Sequence, residues 1–137
     1  MIEHATYKRV RYGETDQMGY LYYGHYALYY EIGRVELLRD LGLAYREVER
    51  ELGVMMPVVD LHARFLRPAR YDEEVRILTK VRTLPDRRMV FHHELFGAAG
   101  ELLNGGRVTL CFAEIGAGGR PVACPEPILR LLRPHFR

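Results

Sequence analysis

The chain has 137 residues, 48% of them hydrophobic and 28% charged, with a net charge of +2. That length predicts one domain, residues 1–137, large enough to bury a core unaided, and that composition excludes a disordered chain. So small a net charge makes no bulk electrostatic case for nucleic acid. No apolar run reaches membrane-spanning length, and the N-terminal MIEHATYKRV has no signal-peptide h-region. The expectation is a soluble, cytoplasmic protein with no nucleic-acid partner and no membrane insertion. Cys111 and Cys124 form no C-x-x-C pair and read as two free, buried thiols.

In chain order, residues 4–11 predict an edge or joining strand. Gly13 stops it, and a polar turn with Thr15, Asp16 and Gly19 follows. Six of the ten tyrosines lie between Tyr20 and Tyr30, so whatever follows the turn has an aromatic wall. The long helix is predicted from about Gly24 to Asp40, closed by Leu41-Gly42. On a wheel of about 100° per residue, Tyr26, Tyr29, Tyr30, Gly33, Leu37 and Leu41 share one side. Leu28, Ile32 and Val35 cluster opposite. A helix apolar on both sides predicts an enclosed helix. Ala44 to Glu51 predicts a short, charged, exposed second helix.

From Gly53 the period changes to two. Val59, Leu61, Ala63 and Phe65 alternate with polar residues, then Val75, Ile77, Thr79 and Val81, then Met89 to Phe96, then Val108, Leu110 and Phe112. Short turn-like gaps between long strands predict an antiparallel meander. The Gly116–Gly119 run ends the sheet, and Pro125 to Leu132 predicts a last short helix. A sheet with one apolar face and a long apolar helix combine most economically as an α+β fold in which the sheet curls around the helix. One such sheet leaves edge strands open, which predicts pairing of subunits edge to edge.

The chemistry points to Tyr12–Arg34. A carboxylate in a loop ahead of an aromatic helix can act on an electrophile, and the helix start offers unpaired N–H donors to a developing negative charge. Asp16 is the candidate acid. It can equally be a simple turn or helix cap. His25 is a candidate general acid or base, or a polar helix-start residue. Glu31, on the helix, is a reserve acid. Arg64, Arg67, Arg70, Arg82, Arg87 and Arg88 make the sheet region basic, and guanidinium suits phosphate. His62, His92 and His93 sit in strands, where neighbours face opposite ways, so no metal is expected.

The run Tyr12-Gly-Glu-Thr-Asp16-Gln-Met-Gly19-Tyr-Leu-Tyr-Tyr23-Gly-His-Tyr26, then a helix with Glu31 and Arg34, resembles the hotdog-fold acyl-CoA thioesterases of the 4-hydroxybenzoyl-CoA thioesterase type, including the Tol-Pal-associated branch. Phe65-Leu-Arg-Pro68-Ala-Arg-Tyr-Asp72, Arg87-Arg88 and Gly119-Arg-Pro121 extend the likeness over nearly the whole chain. The resemblance implies a hotdog fold, with a curved antiparallel sheet wrapped around a long central helix. It implies hydrolysis of an acyl-CoA thioester, with Asp16 as nucleophile or general base and the backbone N–H of Tyr23 polarising the carbonyl. It further implies basic residues in the hairpin, here Arg87 and Arg88, on the coenzyme A phosphates, and homodimers, commonly paired into homotetramers, with sites at the subunit interface. Coenzyme A is then part of the substrate and no cofactor is needed. Many members carry Asn where this chain has His25, so a role for that Asn does not transfer. Tyr22 and Tyr26 are expected to contact substrate, and Tyr22, Tyr29, Tyr30 and Met55-Met56 to line the acyl pocket. Two alternatives stay open: a non-catalytic acyl-CoA-binding sensor, and a hotdog hydratase or dehydratase. The second lacks its D-x-x-x-x-H spacing here, since Asp16 and His25 stand nine apart.

Overall fold

The computed structural model describes residues 1–136. The alternation read in the sequence becomes a sheet wherever it is strictest. β4 (Glu74–Val81) buries Val75, Ile77, Thr79 and Val81, and β5 (Arg88–Phe96) buries Met89, Phe91, His93 and Leu95. β1 (Ile2–Arg9) pairs with β4, and β6 (Leu102–Glu114) pairs with β5. All these pairings are antiparallel. The central helix α1 (Tyr26–Asp40) lies on the apolar face and buries Tyr26, Tyr29, Tyr30, Gly33, Leu37 and Leu38. It stops where Gly42 takes φ +89° and donates its N–H to the Arg39 carbonyl at 2.9 Å.

Gly33 sets how closely helix and sheet approach. A Cβ there would overlap Thr79 Oγ1 and stand 2.8 Å from Ile77 Cγ2. Most polar groups caught in this contact find partners, as buried polar groups generally do, while His93 Nε2 has none among the described residues. Thr79 Oγ1 and His93 Nδ1 are 3.0 Å apart. The Tyr30 ring stacks on His93 with centroids 4.9 Å apart. The Tyr30 hydroxyl donates to Asn104 Oδ1, and Asn104 Nδ2 donates to the Arg64 carbonyl at 2.9 Å. Cys111 and Cys124 are both free, and burial pushes the Cys124 thiol up to about 12.

Several expectations need correction. The four long strands are not one meander. β4, β5 and β6 follow one another, but β3 (Val58–Phe65) lies on the far side of β6, so the chain crosses the sheet between β3 and β4. Periodicity gives a strand's faces and says nothing of its neighbours. Nor is β3 buried on one face: Val58, Val59, Leu61 and Phe65 are all exposed. The helix is covered on one side only, with Leu28 44% exposed on the other. It begins at Tyr26, after a 3-10 turn over Tyr23–His25. The second helix, α2 (Tyr45–Leu52), is amphipathic and buries Val48. Beyond the glycine run, β7 (Pro121–Val122) still pairs with β6, opposite Phe112 and Ala113, and β2 (Val54–Met55) pairs with β6 beside it. The last helix, α3 (Glu126–Leu132), falls where expected.

Candidate active site

The turn that carries Asp16 is closed by its own backbone. Asp16 donates its N–H to the Tyr20 carbonyl at 2.9 Å, and Gly19 donates to the Asp16 carbonyl at 3.0 Å. Gly19 takes φ +78°, which only glycine adopts freely. The side chain helps: Asp16 Oδ1 accepts the N–H of Met18 at 2.9 Å and of Tyr20 at 3.2 Å. The other oxygen, Oδ2, takes no hydrogen bond among the described residues. Asp16 therefore caps a turn with one oxygen and leaves the other available, so the two readings open in the sequence are compatible.

The turn docks on the segment after β3. Leu21 donates to the Ala69 carbonyl at 2.8 Å, and Tyr71 donates to the Gly19 carbonyl at 3.0 Å. This brings Asp16 to the same cleft as Phe65–Pro68. Asp16, Met18, Tyr20, Tyr23, Tyr26 and Phe65 line a cleft of about 340 Å³, together with Leu21, Leu66, Arg67 and Pro68. Phe65 stands edge-on to Tyr26 with ring centroids 4.9 Å apart, forming an apolar wall. Burial pushes the Tyr26 phenol up, so it stays protonated at neutral pH.

Tyr23 opens the 3-10 turn ahead of α1. Tyr22 donates to the Glu14 carbonyl and His25 to the Tyr22 carbonyl, both at 2.9 Å, but the N–H of Tyr23 has no acceptor among the described residues. A free donor at the start of a helix is suited to an oxygen that gains negative charge.

Other expected residues fall elsewhere. Tyr22 is exposed and rests on the Tyr23 ring with centroids 4.8 Å apart. His25 is half-buried, its ring against Tyr22, and it is not among the residues lining the cleft. Tyr29 and Tyr30 are fully buried core residues whose hydroxyls are engaged by Glu14 and Asn104, so they do not line an acyl pocket. Met56 borders a different cavity of about 310 Å³, with Arg34, Tyr45 and Val58. Arg88 pairs with Cys111 and Phe65 with Asn104, at opposite ends of β6. At about 3.3 Å per residue, that seven-residue offset is roughly 23 Å. Within one chain, Arg67 is the arginine at the cleft. It was readable only as a member of a basic group, because nothing local says that residue 67 meets residue 16.

Residues 10–132 match the family described as the Thioesterase-like superfamily. The chain belongs to that superfamily. YneP of Bacillus subtilis (strain 168) is 38% identical over 93 residues, 68% of this chain and 67% of YneP. The acyl-CoA thioester hydrolase YbgC of Escherichia coli O6:H1 is 29% identical over 122 residues, 88% of this chain and 89% of its own. Among solved structures, the DHNA-CoA thioesterase of Staphylococcus aureus superposes with a TM-score of 0.85 at 32% identity, covering 90% of this chain and 81% of that one. This superfamily member is thus a thioester hydrolase with a hotdog fold. No helix of its described residues is long and apolar enough to cross a membrane.

Proposed function

We propose that the protein hydrolyses an acyl-CoA thioester at the Asp16 cleft, releasing a free acid and coenzyme A. The observation that carries this reading is that Asp16, whose Oδ2 takes no hydrogen bond among the described residues, and Tyr23, whose N–H has no acceptor among them, line the same cleft. Asp16 either attacks the carbonyl carbon, expelling the coenzyme A thiolate and leaving an anhydride that water then hydrolyses, or removes a proton from an attacking water, whose tetrahedral adduct collapses with loss of the thiolate. In both routes the thiolate is protonated from solvent. The Tyr23 N–H takes the carbonyl oxygen as it becomes an oxyanion, a contribution of about 3 kcal/mol for one such donor in acyl transfer. The apolar side made by Phe65, Leu66 and Tyr26 receives the acyl group. No step is assigned to His25, and its place outside the cleft gives a hydratase no acid–histidine pair. Free-thiol release across aromatic, short-chain and long-chain acyl-CoAs tests the reading. Tight binding with no thiol released would make the protein a sensor.

We assign the coenzyme A phosphates to Arg87 and Arg88, reached across a subunit boundary. Among the described residues the outer edge of β3 is unpaired, the strand exposes Val58, Val59, Leu61 and Phe65, and such an edge is a template for a second strand. Two β3 edges running antiparallel bring the Arg88 end of one sheet alongside the Phe65 end of the other. The protein is therefore expected to be a homodimer at least, and pairs of dimers give a homotetramer. Light scattering at the mass of one chain would rule this out. Replacing Arg87 and Arg88 by Ala is expected to raise KM for acyl-CoA by roughly tenfold or more, the worth of charge-assisted hydrogen bonds. kcat should stay within about threefold. An acyl-pantetheine substrate, which lacks the nucleotide phosphates, should be unaffected; an equal rise in its KM would place the arginines elsewhere.

A further inference from the structure

The loop that carries Asp16 has an anchor outside the cleft. Glu14 lies two residues earlier, with a side chain only 15% exposed. Its Oε1 accepts three hydrogen bonds: from the Arg11 N–H at 2.9 Å, from Lys8 Nζ at 2.9 Å and from the Tyr29 hydroxyl at 2.8 Å. Tyr29 belongs to α1 and is fully buried, and the Lys8 ammonium stands 5.2 Å from its ring centroid. The main chain of Glu14 makes a second tie: its carbonyl accepts the N–H of Tyr22, the residue just before Tyr23. Burial alone would raise the Glu14 carboxyl, but the Arg11 N–H, Lys8 and Tyr29 outweigh it and hold the group below the ordinary carboxylate value. It is an anion at neutral pH, sustained by donors from the strand, the loop and the helix.

One residue thus grips the helix with its side chain and, with its backbone, the N–H of Tyr22, one peptide ahead of the Tyr23 N–H, and the next residue but one is Asp16. We propose that Glu14 and Tyr29 are positioning residues, which fix the Asp16 carboxylate and the Tyr23 N–H at the separation that hydrolysis requires. Neither residue lines the cleft, so both act through others. The proposal rests on the catalytic reading of Asp16 and Tyr23 given above. A buried anion with three donors also stabilises a fold, so the test must separate placement from stability.

Tyr29→Phe keeps the ring, its packing and the face presented to Lys8, and removes one donor. Its kcat is expected to fall roughly tenfold with KM within about twofold, since small displacements of reacting groups are costly. Glu14→Ala is expected to lose roughly 10²-fold in kcat. Glu14→Gln, which keeps an acceptor oxygen, should fall between wild type and Ala. In an Asp16→Asn background, Tyr29→Phe should cause no further loss, because there is no carboxylate left to place. A Tyr29→Phe protein with a lower Tm but wild-type kcat overturns the proposal and leaves the role of Asp16 intact. Near-normal turnover by Asp16→Asn alone overturns the catalytic reading, and positioning with it. Should Tyr29→Phe fail to fold, Glu14→Gln in both backgrounds gives the same readout.

Discussion

Asp16→Asn is expected to cut kcat by roughly 10²- to 10⁴-fold, the range for losing a general base or nucleophile, while leaving the turn in place. Asn keeps an oxygen that can accept the Met18 and Tyr20 N–H groups, as Asp16 Oδ1 does. What it loses is the charge and basicity of the free Oδ2. KM should change little, because the apolar wall of Phe65, Leu66 and Tyr26 remains. Thiol release under saturating acyl-CoA, with circular dichroism to show an intact fold, makes the measurement. Turnover within a fewfold of wild type would remove Asp16 from the chemistry in either role. A large loss confined to KM would make it a binding residue instead.

The second large effect lies in the dependence of stability on pH. His93 is 1% exposed beneath α1, and its pKa is lowered to about 3 by burial first, then by the charges of Arg34 and His92. The folded protein therefore keeps His93 neutral where an unfolded chain, with an ordinary value of 6.5, takes up a proton. Between those values the unfolded state binds more protons, so stability rises with pH. The contribution is complete above the ordinary value and is lost progressively as pH falls toward about 3. The slope in that window should approach 1.4 kcal/mol per pH unit, about the worth of one proton. Glu14, whose carboxyl is depressed, adds its own loss as pH falls from the ordinary carboxylate value of 4.5 toward its lowered one. Urea midpoints measured from roughly pH 4 to pH 8 give the slope. His93→Phe should flatten it, and an unchanged slope would assign the acid sensitivity to other groups.

How far the chain could be read depended on the range of the interaction. β4 and β5 were legible because strict alternation is local, and both strands are buried on the face that alternation names. The place of β3 was not, since its pairing with residues 104–110 of β6 is set by contacts some 45 residues away. The helix showed two apolar sides, yet only one is covered within the chain; a wheel cannot distinguish cover by the sheet from cover by a partner. The turn that holds Asp16 was legible through the T-D-x-x-G pattern and the helix behind it. Phe65–Pro68 was recognised as a segment but not as the opposite wall. Tyr29 and Tyr30 misled because an aromatic near a loop looks like a pocket lining. Their hydroxyl partners, Glu14 and Asn104, emerge only once helix and sheet are packed together.

The crossing between β3 and β4 bears on how the chain matures during vectorial synthesis. Asp16 emerges early, but its turn rests on residues 69–71, and Phe65 is set in place by Asn104 of β6. A nascent chain that ends before β6 has the acid and the helix but lacks the wall. Its tyrosine-rich helix face meanwhile meets water or a chaperone. Sheets that depend on such distant pairings form slowly, because the closure entropy is spent before the contacts reward it. Competence should therefore appear late and in one step, when the thirteen-residue strand β6 takes its place between β5 and β3.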